Sequence, residues 1–272
     1  GTSISGGNGW YAFRAVDLAN NISEEYRVYY DASMPVGALY GGTASKASGS
    51  YTNAEYVKYV AGNPYSGIAN CYVKLPNTSY YTSYTSGSQL TTEGTYSFYC
   101  VSRAGTSSAT VSITLDKTKP VGTLYGGTSA VANGSYTNAS DIRFLATDRT
   151  AMTAYVKKPG SASYAPYALG TQFTEEGTYR FYVIDAASNR SDTYTITLSR
   201  QIPAAQLYVD GAPLDNNGYT NGGHISFECD ETCYVMLPGT DSYVSYASGT
   251  EYYKPGKYAF YGISPAQNHS GY

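Results

Sequence analysis

Four segments of the sequence are copies of one another. They read GWYAFRAVDLANNIS from Gly9, GTYSFYCVSRAGTSS from Gly94, GTYRFYVIDAASNRS from Gly177 and GKYAFYGISPAQNHS from Gly256. A chain that repeats a small unit every ~80 residues builds an array of small cores rather than one large one. Other landmarks return in the same order. Pro35, Pro120 and Pro203 open the units, 85 and 83 residues apart. Each is followed by a short apolar run: VGALYGG, VGTLYGG, then AAQLYVD. Next come SYTNAEYVKYVA from Ser50, SYTNASDIRFLA from Ser135 and GYTNGGHISFEC from Gly218, then CYVKLP from Cys71, AYVKKP from Ala154 and CYVMLP from Cys233. The first complete unit carries an extra stretch, GNPYSGIAN at 62–70, rich in turn formers and read as a longer loop. These landmarks divide the chain into a partial unit at 1–33, complete units at 34–118 and 119–201, and a unit at 202–272 without its closing strand.

The period inside each unit is that of a strand. Tyr96, Phe98 and Cys100 alternate with Ser97, Tyr99 and Val101, and Tyr179, Phe181 and Val183 with Arg180, Tyr182 and Ile184. Such alternation lines one face with apolar groups. Turn signals punctuate the chain every eight to twelve residues, and no long window shows a helical period. About seven short strands in ~80 residues suit two packed sheets, so the expected fold is an all-β sandwich in each repeat.

The tract Glu175, Glu176, Gly177, Thr178, Tyr179, Arg180, Phe181 resembles the tyrosine-corner signature of immunoglobulin-like domains. Residues 183–189 (VIDAASN), echoed by 15–20, resemble the V-x-D-x-A-G-N hairpin of bacterial immunoglobulin-like repeats. The resemblance covers nearly the whole chain. It implies tandem immunoglobulin-like β-sandwiches arranged as an elongated rod, of the kind found in stalks of secreted and surface-anchored bacterial proteins. The hairpin at 102–106 departs from the pattern, lacking both Asp and Asn, and the one at 264–268 lacks the Asp. Linkers at 31–35, 116–120 and 199–203 are short and end in proline, which favours a semi-rigid connection.

Four cysteines allow three pairings. Cys71 with Cys100 and Cys229 with Cys233 each stay inside one repeat, and the resemblance places strands C and F, which carry Cys71 and Cys100, side by side. Four reduced thiols buried as small apolar groups are the alternative. Disulfides imply an oxidising setting, hence a secreted or cell-surface protein.

The net charge is −3 with only 14% of residues charged, and Lys and Arg are scattered. That speaks against nucleic acid and against an anionic membrane surface as partners. No apolar run approaches the ~20 residues of a spanning helix, so membrane insertion is not expected. No nucleophile motif, zinc motif or phosphate-cradling glycine loop occurs, and neither His224 nor His269 recurs between repeats. The chain is read as not an enzyme. Asp17 with Asn20, and Asp185 with Asn189, offer oxygen ligands for calcium, the one cofactor considered. Two side chains per loop fall short of calcium's six to eight oxygens, and an Asx-turn is the plainer reading.

The expected function is a structural spacer, stalk or fibre module, its partners being neighbouring repeats of the same chain. Two readings of the terminal segments stand side by side. Residues 1–33 supply closing strands and 202–272 lack one, which suits head-to-tail strand exchange. The simpler reading is a slice of a longer stalk. The alternative function is a glycan- or host-binding adhesin. Among the 33 tyrosines, Tyr99, Tyr182 and Tyr261 take an outward register, and Tyr65, Tyr72, Tyr80 and Tyr81 are the candidate carbohydrate patch. Cross-strand pairing explains such tyrosines equally simply.

Overall fold

A computed structural model of the chain describes residues 6–271; residues 1–5 of the first segment and residue 272 of the last lie outside the described residues. All regular structure among the described residues is β, in several small sheets. No helix among them is long and apolar enough to cross a membrane. The chain separates into two compact units. The first holds the described residues up to Pro120 together with Asp148–Met152 and Ile184–Arg190; the second holds Val121–Thr147, Thr153–Val183 and the residues from Ser191 onward.

The first unit opens with a hairpin, β1 (Gly9–Phe13) against β2 (Tyr26–Tyr30). The 34–118 repeat then runs through β3 (Val36–Gly41), β4 (Ala44–Lys46), β5 (Ser50–Thr52), β6 (Val57–Gly62), β7 (Ile68–Lys74), β8 (Tyr81–Tyr84), β9 (Gly94–Ser102) and β10 (Val111–Leu115). These make a three-stranded sheet, β4-β3-β6, and a five-stranded sheet, β5-β10-β9-β7-β8. Leu39, Val57 and Tyr59 from the first sheet and Val73, Tyr96, Phe98, Ile113 and Leu115 from the second fill one core. Along β9 the buried residues are Tyr96, Phe98, Cys100 and Ser102, the period-two face that the sequence pattern predicts.

The two later repeats follow a similar plan, most of their residues lying in the second unit. The 119–201 repeat comprises β11 (Val121–Gly126), β12 (Ser129–Val131), β13 (Tyr136–Thr137), β14 (Ile142–Thr147), β15 (Met152–Lys157), β16 (Ala165–Tyr167), β17 (Gly177–Asp185) and β18 (Tyr194–Leu198), with sheets β12-β11-β14 and β13-β18-β17-β15-β16. The last repeat comprises β19 (Ala205–Val209), β20 (Ala212–Leu214), β21 (Ile225–Cys229), β22 (Thr232–Met236), β23 (Tyr243–Tyr246), β24 (Glu251–Tyr252) and β25 (Ala259–Ile263). Its sheets are β20-β19-β21-β24 and β23-β22-β25, so among the described strands β25 is paired on one side only. It nonetheless encloses a core of Phe227, Cys233, Val235, Tyr246 and Phe260.

Two sets of tyrosine hydroxyls lock these small cores. Tyr11, Tyr96, Tyr179 and Tyr258, each two residues after the glycine that opens a copy, donate to the carbonyl four residues back, at Gly7 (2.7 Å), Thr92 (2.6 Å), Glu175 (2.8 Å) and Lys254 (2.8 Å). The glycine is required. Gly94 and Gly177 have φ of +134° and +128°, and a Cβ would meet Pro76 at 2.5 Å and Pro159 at 2.6 Å. The Gly-x-Tyr landmark and the Lys/Leu-Pro landmark are thus two halves of one contact.

The second set crosses the core. The Tyr84 hydroxyl accepts from the Tyr59 N–H at 3.0 Å and reaches the Ser88 carbonyl at 2.8 Å. Tyr246 does the same with Phe227 N–H at 2.9 Å and the Thr250 carbonyl at 2.7 Å. Tyr167 occupies this place in the middle repeat, and its buried hydroxyl has no partner. The neighbouring serines have changed as well. Ser86 and Ser248 accept the N–H of Ala61 and Cys229 at 2.9 and 3.0 Å, where the middle repeat has Leu169. Burial pushes all three phenols up. Removing a hydroxyl that satisfies buried backbone groups costs about 1–3 kcal/mol, whereas removing an unsatisfied one costs little or stabilises. Urea unfolding is therefore expected to show losses of that order for Tyr84→Phe and Tyr246→Phe, and none for Tyr167→Phe. An equal loss at Tyr167 would contradict the assignment.

Candidate functional site

Most of the buried polar residues, Ser102, Asp185, Asn189, Ser191, Ser264 and Ser270, lie in the hairpins that follow the long strands. Asp185 accepts the Asn189 N–H at Oδ1 (2.7 Å) and the Asn189 side-chain amide at Oδ2 (2.8 Å). Asp17 makes the corresponding bonds with Asn21, at 2.9 and 2.8 Å. Asn20, the residue the sequence reading paired with Asp17, instead takes the left-handed turn position with φ of 66°. Ser188 and Gln267 hold the same position, at 73° and 65°, and Gly105 at 87°. The motif is Asp-x-x-x-Asn, and the spacing of four at Asp185 already pointed to Asn21. In the other hairpins the pair is Ser102 with Thr106, hydroxyl to hydroxyl at 2.7 Å, and Ser264 with Asn268, whose N–H reaches the serine at 3.1 Å.

A further member escaped the sequence reading. Ser23, Ser108, Ser191 and Ser270 close the four copied segments. Each hydroxyl accepts a strand N–H eight residues back, at Ala15 (2.8 Å), Cys100 (2.9 Å), Val183 (3.0 Å) and Gly262 (2.7 Å). The signal was present, since all four quoted copies end in serine.

Three of the four hairpins also grip a linker. The Asn189 amide donates to the Asp116 carbonyl at 2.8 Å, Asn268 to the Ser199 carbonyl at 2.9 Å, and the Thr106 hydroxyl to the Ser33 carbonyl at 2.6 Å. The first residue of each linker has a different environment. Asp31 is buried, and both of its oxygens are filled by the amides and hydroxyls of Ser33 and Ser66. Burial alone would raise its carboxyl, but the Ser33 and Ser66 hydroxyls, aided by their amides, outweigh it and hold the pKa at about 2. Ser66 belongs to the 62–70 insertion, and so does Asn63, whose amide donates to Ser33 Oγ at 3.1 Å. The insertion braces a linker.

Asp116 sits at the equivalent place and behaves oppositely. It is 0% exposed. Its Oδ1 accepts the Thr118 N–H at 3.1 Å, and its Oδ2 has no partner. One carboxylate oxygen from each of Asp116, Asp148 and Asp185 lies within 4.8 Å of the other two, all three within the first unit. Burial pushes the Asp116 carboxyl up. The Thr118 N–H opposes this, the Asp148 and Asp185 charges add to it, and the Thr150 hydroxyl, whose proton goes to Asp148 Oδ2 at 3.0 Å, lowers it slightly.

Both disulfides are present, Cys71–Cys100 and Cys229–Cys233, and no cysteine is free. Cys71 and Cys100 face each other directly across β7 and β9. Cys233 faces Gly262 instead, and a Cβ at Gly262 would stand 3.3 Å from the Cys229 sulfur. The glycine leaves the room that the second bond occupies.

The structure joins Tyr72 and Tyr81 through Tyr99, Tyr72 stacked on it at 5.0 Å and Tyr81 edge-on at 4.9 Å. Tyr65 (52% exposed) stands on the insertion and Tyr80 (63% exposed) precedes β8. The triad recurs as Tyr155, Tyr182 and Tyr164, and as Tyr234, Tyr261 and Tyr243, with the same stacked and edge-on geometry. His224 lies between Asp210 (3.0 Å) and Glu251 (3.5 Å), and Glu251 also accepts the Tyr253 hydroxyl. A carboxylate thus stands beside each nitrogen of one imidazole. No protein-family model matches the chain, and no curated protein matches it.

A carboxyl held down in the folded state contributes stability above its unfolded pKa of ~3.9, and that contribution is lost as pH falls through the folded value. For Asp31 the window runs from roughly pH 4 down to about 2. Stability measured across it is expected to fall less steeply in Asp31→Asn than in the parent chain. Identical slopes would show that the Ser33 and Ser66 bonds do not hold the charged form.

Proposed function

We propose that this chain is a non-catalytic spacer of an extracellular bacterial surface protein, a run of immunoglobulin-like sandwiches that holds other parts of the protein at a distance. The observation that carries this reading is the recurring hydrogen bond from three of the four hairpins to the linker that precedes the repeat, at Ser33, Asp116 and Ser199. A linker bonded to a hairpin formed late in the following repeat resists bending, and the prolines at 35, 120 and 203 stiffen it further. Two disulfides suit an oxidising environment outside the cell. Small-angle scattering tests the reading. A compact ball of this length would have a radius of gyration of ~19 Å. A spacer is expected well above that value, with further spread in Asn189→Ala and Asn268→Ala. A value near the compact figure overturns it.

One observation supports association between copies as a second property of such a spacer. The β1–β2 hairpin leaves Trp10 70% exposed, with Phe13, Tyr26, Val28 and Tyr30 also open to solvent. Apolar strands of this kind are templates for further strand pairing. Light scattering across a concentration series, with and without residues 1–33, is expected to show mass growing with concentration only in the longer chain. Constant mass in both removes self-assembly and leaves the spacer reading intact.

A further inference from the structure

Asp116 poses a problem that the spacer reading does not solve. A carboxylate oxygen that is fully buried and lacks a donor is among the costlier groups a small domain can hold. Two more carboxylates beside it, Asp148 and Asp185, make the charged form worse. The same place in the preceding repeat shows how a buried carboxylate is satisfied by the protein's own donors. There Ser33 and Ser66 fill every oxygen of Asp31, and Ser102 and Thr106 stand where the later repeat has Asp185 and Asn189. In the last repeat the place is taken by Ser199 and Ser264, with no carboxylate at either position. One junction of three has a carboxylate, Asp185, where the others have the hydroxyls of Ser102 and Ser264. A site that gathers acceptors around an orphaned buried oxygen is shaped for a cation.

The donor set selects the kind of cation. All the offered ligand atoms are carboxylate oxygens, which suit hard cations rather than zinc or copper. Calcium holds its oxygens at about 2.3–2.6 Å, so oxygens on opposite sides of the ion are roughly 4.6–5.2 Å apart. The three carboxylate oxygens fall within 4.8 Å of one another, inside that span. Much of the rest of the geometry is already set. Thr118 N–H fixes Asp116 Oδ1, the Thr150 amide and hydroxyl fix Asp148 Oδ2 at 2.9 and 3.0 Å, and Asn189 orients Asp185. Asn189 points its amide hydrogens at Asp185 and at the Asp116 carbonyl, so it positions ligands rather than serving as one.

We propose that Asp116, Asp148 and Asp185 bind one calcium ion, with Asp116 Oδ2 as the central buried ligand and water completing the shell. The ion ties the linker after β10 to the loops after β14 and β17. It makes this junction dependent on calcium, while the Asp31 junction works without it.

Isothermal titration of the chelator-stripped 272-residue chain with calcium chloride tests this. The expected result is one site per chain, with a Kd in the range of about 10⁻⁴ M or tighter, typical of extracellular calcium modules or better. Asp116→Asn and Asp148→Asn are each expected to weaken binding at least tenfold. Asp31→Asn, at the equivalent place, is expected to leave it unchanged. Calcium should raise the melting temperature of the parent chain and of Asp31→Asn, but not of the other two. Asp148 is less buried than Asp116, so its variant keeps the test decisive should Asp116→Asn fail to fold. Absence of binding up to millimolar calcium overturns the proposal. So does binding that survives both substitutions, or magnesium bound as tightly as calcium.

Discussion

The hydrogen-bonded hairpin after each long strand is the contact on which the other features rest. A repeat of ~80 residues has a thin core, so a large share of its polar backbone lies near the ends of the sheets. The hairpin closes three problems at once. Ser191 and its counterparts satisfy the strand N–H left open by the turn. The residue that closes the turn, Asn21, Thr106, Asn189 or Asn268, pins the turn itself. Thr106, Asn189 and Asn268 then reach the preceding linker and satisfy a carbonyl there. Turn closure and linker restraint therefore share the side chains of Thr106, Asn189 and Asn268.

That sharing explains why divergence between repeats clusters at this place and in the core facing it. The repeats keep the backbone geometry and exchange the chemistry that satisfies it: hydroxyls around Asp31, carboxylates around Asp116, a serine backbone at Ser199. The central strand pair shows the same freedom. Cys71 and Cys100 are bonded in one repeat, Ala154 and Val183 hold those places in the next, and Cys233 with Gly262 in the last, where the disulfide is redirected to Cys229. A buried apolar position of fixed volume admits either solution.

The elements that depend on period and on turn chemistry were legible in the sequence. Alternation in GTYSFYC placed Tyr96, Phe98 and Cys100 inward, and the resemblance of the Gly-x-Tyr tract to a tyrosine corner pointed to the first set of hydroxyl bonds, not to the second. Cys71 and Cys100 were legible as one of three pairings because both lie in one repeat and the resemblance sets their strands side by side; the structure bonds them. What was hidden depends on loops that meet only after folding. Asp148 is an ordinary turn residue in sequence, and nothing local brings it to Asp116, which lies 32 positions earlier. The insertion at 62–70 read as a longer loop rich in turn formers, and its contact with the linker through Asn63 and Ser66 exists only in the folded chain. Asn20 was mistaken for Asn21 because both are asparagines, and only the backbone distinguishes the turn residue from the bonded one.

The tyrosines weigh on the choice between spacer and adhesin. A sugar platform needs an open aromatic face. In each triad the central ring, Tyr99, Tyr182 or Tyr261, has one tyrosine stacked on it and another set edge-on, so part of its surface is already used by the protein. The triad is also the same in three repeats, whereas their linkers and disulfides differ. A feature preserved where its surroundings vary belongs to the framework, in this case cross-strand packing on the outer face of a two-sheet unit. An aromatic ring with a polar tip suits that position, because it adds packing area without exposing a wholly apolar surface. The abundance of tyrosine thus follows from the need to stabilise thin sandwiches from both sides, and the spacer reading accounts for it without a ligand.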